Sequence, residues 1–162
     1  MAWGNEIIVT PNPTGRFLEG IIGVGNTPKP GTIMQPDVSV ALVGNRLSWV
    51  VYNADADGGR PKGPLAVLLP DHLQGKTATT AYAAGDRCFL YCPVMGDELN
   101  VLLADVAGTA DDHTKGEILI VDDGTGKLIA TTGNPETEPF LLLETVTDPT
   151  ADQLVHVMYT GY

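Results

Sequence analysis

"EILIVDDGTGKLIATTG", Glu117 to Gly133, places two apolar runs on either side of a glycine-rich turn. Two readings compete for that turn. A phosphate-binding loop is a strand, then G-x-x-x-x-G-K-[S/T], then a helix, because its backbone N–H groups must converge on anionic oxygens and its hydroxyl must reach Mg²⁺. With Gly126-Lys127 as the G-K pair, the motif's first glycine falls at Val121 and its hydroxyl at Leu128. The "LIATTG" that follows is too short and too β-branched to open a helix. Asp122 and Asp123 would also repel a phosphate. Asp-Gly between two apolar runs is instead a hairpin signal, and it predicts two antiparallel strands.

The same punctuation recurs through most of the chain. From Val38 onward come "VSVALV", "LSWVVYN", "PLAVLL", "RCFLYC", "ELNVLL", "EILIV", "KLIATT", "PFLLLETV" and "QLVHVMYT". They are separated by turn-forming stretches such as "GN", "AAGD", "VMGD" and "DDGTG", with no long segment of period 3.6. The expectation is an all-β domain over residues 36–162, a small β-barrel or β-sandwich, with at most one short helix near "DHLQG". No repeat of fixed length is visible, although "AAGDRCFLYC" and "TKGEILIV" share the order glycine, acid, strand.

Residues 1–35 read differently. "TPNPTG" and "NTPKPG" interrupt two short apolar runs, "EIIV" and "FLEGIIGVG". Prolines at this spacing block helices and central strands. A disordered tail is one reading, but Trp3, Ile7, Ile8, Phe17, Leu18, Ile21 and Ile22 are too apolar for a chain that stays solvated. The expectation is an extended Pro/Gly-rich arm that docks these seven residues on another chain.

At 162 residues and 43% hydrophobic content the chain suffices for one ordinary domain with a real core. Neither a secretion signal nor a run long enough for a membrane helix is seen, so a soluble protein without membrane contact is expected. The net charge of −11 is uneven: five bases balance five acids through Lys62, whereas four bases face fifteen acids from Gly63 onward. Such a surface repels polyanions, and no Lys/Arg cluster offers the counterion-release footprint of a nucleic-acid binder.

Residues that carry chemistry are few. Ser39 and Ser48 both lie in strand-like runs, and neither sits in a G-x-S-x-G elbow. Cys88 and Cys92 in "RCFLYC" share one face of a strand about 13 Å apart, too far for a disulfide, and read as small buried hydrophobes. His72, His113 and His156 lack the three-to-five-residue partner of a structural zinc site. "ADDH" at Ala110–His113 reads as a solvated turn rather than a metal site, and "PDHL" as a cap or turn rather than an Asp-His pair. His156 alternates with Leu154 and Met158 and reads as a satisfied core histidine. Tyr91, Tyr159 and Tyr162 form either a sugar-stacking platform or ordinary strand tyrosines, the second agreeing better with their setting. The expectation is a protein that is not an enzyme, with no catalytic, cofactor or metal residues.

The series "GTIMQ" at Gly31, "DGGRPKGPLAVLLPDHLQGKT" from Asp57, "AAGDRCFLYCPV" from Ala83, "GEILIVDDGTGKLIATTG" from Gly116 and the terminal "VHVMYTGY" resembles the head decoration, or cement, proteins of tailed bacteriophages. The resemblance implies a β-rich virion protein on the outer surface of the capsid, bound to the major capsid protein, often as a homotrimer, and bridging its subunits. A phage tail or fibre component and a small β-barrel carbohydrate-binding module are the rival expectations.

Overall fold

The computed structural model describes residues 7–9, 13–53, 64–104, 112–122, 124–130, 140–147, 149 and 151–161. Among the described residues there are ten strands: β1 (Arg16–Ile22), β2 (Ile33–Pro36), β3 (Leu47–Val51), β4 (Ala66–Leu68), β5 (Arg87–Cys92), β6 (Glu98–Leu103), β7 (Ile118–Val121), β8 (Leu128–Ala130), β9 (Phe140–Leu142) and β10 (Gln153–Tyr159). They close into two five-stranded barrels, β1-β3-β2-β4-β5 and β10-β6-β8-β7-β9. The all-β expectation is met, with two small barrels in place of one. The helix expected near "DHLQG" is the short 3-10 turn His72–Gln74, capped by the Asp71 side chain, which accepts from the Leu73 N–H at 3.0 Å.

The second barrel repeats the first strand for strand. In each, the first strand pairs in parallel with the third, the third is antiparallel to the second, the second to the fourth, the fourth to the fifth, and the fifth to the first. The registers agree as well. Ile22 lies opposite Trp49 as Leu103 lies opposite Leu128. Met34 faces Val51 and Ala66 as Leu119 faces Ala130 and Phe140. Leu68 faces Leu90 as Leu142 faces Val157.

Strand alternation then fixes two equivalent interiors. Ile22, Met34, Trp49, Ala66, Leu68, Cys88 and Leu90 are buried together in the first barrel. Their counterparts Leu103, Leu119, Leu128, Phe140, Leu142, Val155 and Val157 are buried together in the second. The opposite faces of β2, β4 and β5 carry Ile33, Val67 and Tyr91, which join the second barrel's core. Burial on both faces explains why "PLAVLL" is continuously apolar rather than alternating.

The barrels are also stitched through backbone. Ile33 N–H donates to Gly126 O at 2.7 Å, Gly124 N–H to Tyr52 O at 3.0 Å and Leu102 N–H to Gly31 O at 3.0 Å. Charge divides along the same boundary. Through Cys92 seven bases balance seven acids, and from Pro93 two bases face thirteen acids, so the net −11 belongs to the half that builds the second barrel.

The expected division at residues 35 and 36 falls inside β2. Residues 16–35 are not an arm in this structure, because β1 pairs along its length with β5 and in parallel with β3, closing the first barrel. Residues 7–9 are likewise engaged within the chain. Parallel pairing with β8 reaches β6 only at Leu103, and Ile7–Val9 covers the edge left open at the other end: Asn100 N–H donates to Ile7 O at 2.7 Å and Val9 N–H to Glu98 O at 2.9 Å. Among the described residues no helix is long and apolar enough to cross a membrane.

Candidate functional site

The glycine-rich turn is a barrel-to-barrel contact. β7 and β8 form the expected hairpin, with Val121 opposite Leu128, so Lys127 leads into a strand and not a helix. Thr125 Oγ1 donates to Asp122 Oδ2 at 2.6 Å, and Lys127 Nζ forms an ion pair with Asp152. A cleft of about 290 Å³ lies where this turn meets the β1–β2 connection, lined by Asn26, Lys29, Thr125, Lys127 and Asp152 among others. The Asn26 side chain accepts from Val51 N–H at 3.0 Å and donates to the Val24 carbonyl, so it holds backbone. These side-chain bonds each stay within one barrel, and it is the backbone of the turn that joins the two, through Gly126 O and Gly124 N–H.

The other flagged residues also have structural partners. Cys88 is buried and Cys92 half-buried, both free thiols packed with the first barrel's core. Burial pushes the Cys88 thiol up to about 12, with a backbone hydrogen bond to Gly20 opposing. Burial also raises Cys92. Tyr91 is fully buried, which rules it out of a stacking platform: its hydroxyl donates to Asp97 Oδ2 at 2.6 Å and accepts from Gly15 N–H at 2.9 Å. Burial, then that hydrogen bond to Asp97, raises its pKa to about 12. Tyr159 packs on Phe140 with ring centroids 5.5 Å apart, and Tyr162 lies outside the described residues.

Two histidines depart from expectation. His113 does not lie in a solvated turn but is buried, with Nδ1 3.2 Å from Glu117 Oε2, because its backbone pairs with Val146. His156 alternates with Leu154 and Met158 as expected, yet that face points out of the barrel, and Nε2 meets Glu98 Oε2 at 2.9 Å. Among the described residues no group of three His, Cys, Asp or Glu side chains is arranged to hold a metal ion.

The seven residues expected on a docking arm are dispersed. Ile7 and Ile22 are 2% and 1% exposed and belong to the two cores. Ile8, Leu18 and Ile21 are half-buried, Phe17 is exposed and stacks at 5.0 Å on Tyr91, and Trp3 lies outside the described residues. The exposed apolar surface sits elsewhere. "VSVALV", read as a core strand, is instead part of the β2–β3 connection, where Val38, Val40, Leu42 and Val43 are all exposed, as is Leu47 at the start of β3. The "GN" turn holds as expected: Gly44 and Asn45 both have positive φ and close a two-residue hairpin between Val43 and Arg46. Among the described residues this run pairs with no other strand, and the Gly-Asn turn immediately after it is the sequence signal that marks it as a projecting tip.

No protein-family model and no curated protein matches the chain. Among solved structures, the head fiber gp8.5 N base in bacteriophage phi29 is similar, with a TM-score of 0.52 and 12% identity, over 90% of this chain and 94% of that one. At that identity the likeness shows a shared fold that spans both barrels.

Proposed function

We propose that the chain is a structural protein of a bacteriophage virion, attached to the exterior of the head. The observation that carries this reading is the tandem-barrel likeness to a phage head fibre base over nearly the whole of both chains. The residues that suggested chemistry support it, since Asp71 caps a 3-10 turn, Tyr91 is bonded to Asp97 in the core and Lys127 is paired with Asp152. On this reading the protein binds the major capsid protein, assembles as a homotrimer and bridges capsid subunits by burying area across their joints. The acidic second barrel faces solvent, where like charge keeps coated particles apart. Attachment then uses the neutral first-barrel half, because Ile7 and Ile22 are committed to the cores.

The same likeness favours a second reading, in which the chain is the base of a longer fibre on the head. Co-sedimentation of the purified protein with undecorated heads and with isolated tails tests both. Binding to heads is expected. Binding to tails alone, or to neither, overturns the proposal, and a further chain seated on the head-bound protein in a cryo-microscopy map selects the fibre-base form.

A further inference from the structure

We propose that copies of this chain associate head to tail, the apolar loop Asp37–Arg46 of one copy packing on the outer face of the second barrel of the next. The internal repeat supplies the template. In the first barrel, Ile33, Val67 and Tyr91 form a row across β2, β4 and β5, and all three are fully buried against the second barrel. The β7–β8 turn lies at the end of that row, with Gly126 O accepting from Ile33 N–H. By register, the equivalent row in the second barrel is Ile118, Leu141 and Met158 across β7, β9 and β10, and the equivalent of the β7–β8 turn is the β2–β3 loop. That row is apolar but only half-buried, and that loop is apolar and exposed. One contact of the repeat is thus made within the chain, and among the described residues the two halves of the next stand exposed or half-exposed on opposite barrels.

Geometry keeps the two halves from meeting in one copy. β2 meets the second barrel at its start, where Ile33 N–H donates to Gly126 O, whereas the loop begins four residues further on, after Pro36. A second copy is the occupant that already carries the matching surface, and adding it continues the interface that joins the barrels.

Charge agrees with this choice. The loop's own charges are satisfied locally, Asp37 by Ser39 N–H and Oγ and Arg46 by Glu19, so recognition rests on the apolar side chains. Each head-to-tail contact also sets a neutral barrel against an acidic one, avoiding the repulsion of two acidic barrels. A heterologous contact of this kind closes into a ring when its rotation permits. Only the number of copies rests on the homotrimer proposed above.

The test uses the full chain and two variants in sedimentation velocity at up to about 100 µM, which populates complexes of micromolar affinity. Val40→Asp/Leu42→Asp alters exposed loop positions, and Met158→Lys alters the row; circular dichroism confirms that each folds, with Ile118→Glu as the alternative row variant. Wild type should associate, and each variant should lose affinity by about 100-fold. An equimolar mixture of loop and row variants should form a one-to-one complex, since each keeps the half that the other lacks. A monomeric wild type, a variant that associates like wild type, or a mixture that stays monomeric overturns the proposal. A ring of other than three copies contradicts the homotrimer and leaves the surface standing, whereas the head-binding assay above addresses the virion reading alone.

Discussion

Gly126→Ala should cost several times more stability than Gly124→Ala two residues away in the same turn. Both glycines have positive φ, 63° and 80°, so either alanine carries a left-handed penalty of about 1–2 kcal/mol. A Cβ at Gly124 meets nothing within 4 Å, whereas one at Gly126 lies 2.4 Å from the Ile33 carbonyl oxygen and 2.8 Å from Thr32 Cγ2. That oxygen belongs to the backbone of β2, which cannot yield as the end of a flexible side chain can. Relieving the clash must separate the turn from β2, adding about 1–3 kcal/mol of overpacking. It also weakens the Ile33 N–H to Gly126 O hydrogen bond, worth about 1 kcal/mol. Gly124→Ala should therefore lose roughly 1–2 kcal/mol and Gly126→Ala roughly 3–6 kcal/mol. Urea unfolding followed by tryptophan fluorescence in a Trp3→Phe background, which leaves Trp49, 1% exposed in the first barrel, as the reporter, measures both. Equal losses would refute the role assigned to this turn as the clamp between the barrels.

Cys88 and Cys92 should resist a thiol-specific reagent at pH 8 in the native state and react fully in denaturant, given the raised thiol pKa values; rapid native labelling of Cys88 would contradict its burial. Tyr91→Phe should destabilise by about 1–3 kcal/mol in thermal or urea melts, because it leaves the buried Asp97 carboxylate and the Gly15 N–H short of a partner. The Lys76 side chain, then the Ala83 N–H, hold the Asp86 carboxyl below its ordinary value of 3.8. The stability from Asp86 is thus present above that value and lost as pH falls through the lower folded one. Lys76→Met should flatten this part of the acid-side stability curve, and an unchanged curve would count against the pair. Deleting residues through Pro30 should open the first barrel and unfold it, since β1 is lost from between β3 and β5; a truncated chain with native melting would restore the detachable arm.

Strand identity was largely legible because most strands carry turn chemistry on both sides. Asp-Gly, Gly-Asn and Gly-acid pairs mark β3, β5, β6, β7 and β8. β1 and β2 were hidden by the prolines and glycines around them. Proline bars a residue from donating in a ladder, but here Pro28 and Pro30 lie in the β1–β2 connection and Pro36 ends β2, so neither strand is broken. The repeat was invisible for a different reason: the equivalent positions keep neither identity nor individual size, and neighbouring positions compensate for one another. Gly20 leaves room for the indole of Trp49, whose Cδ1 would lie 2.3 Å from an added Cβ. The second barrel fills the corresponding space with Val101 and Leu128. "VSVALV" misled because local composition reports only that a segment suits a pleated, covered surface. It does not say whether the cover comes from the same chain.

A tandem-barrel protein proposed to sit on the outside of a phage head should be visible directly in a cryo-microscopy map of heads incubated with the purified chain. Added density is expected on the outer surface with paired five-stranded barrels in each copy, the first barrel toward the shell and the acidic second barrel toward solvent. Heads whose outer surface carries no added density at saturating protein would contradict it.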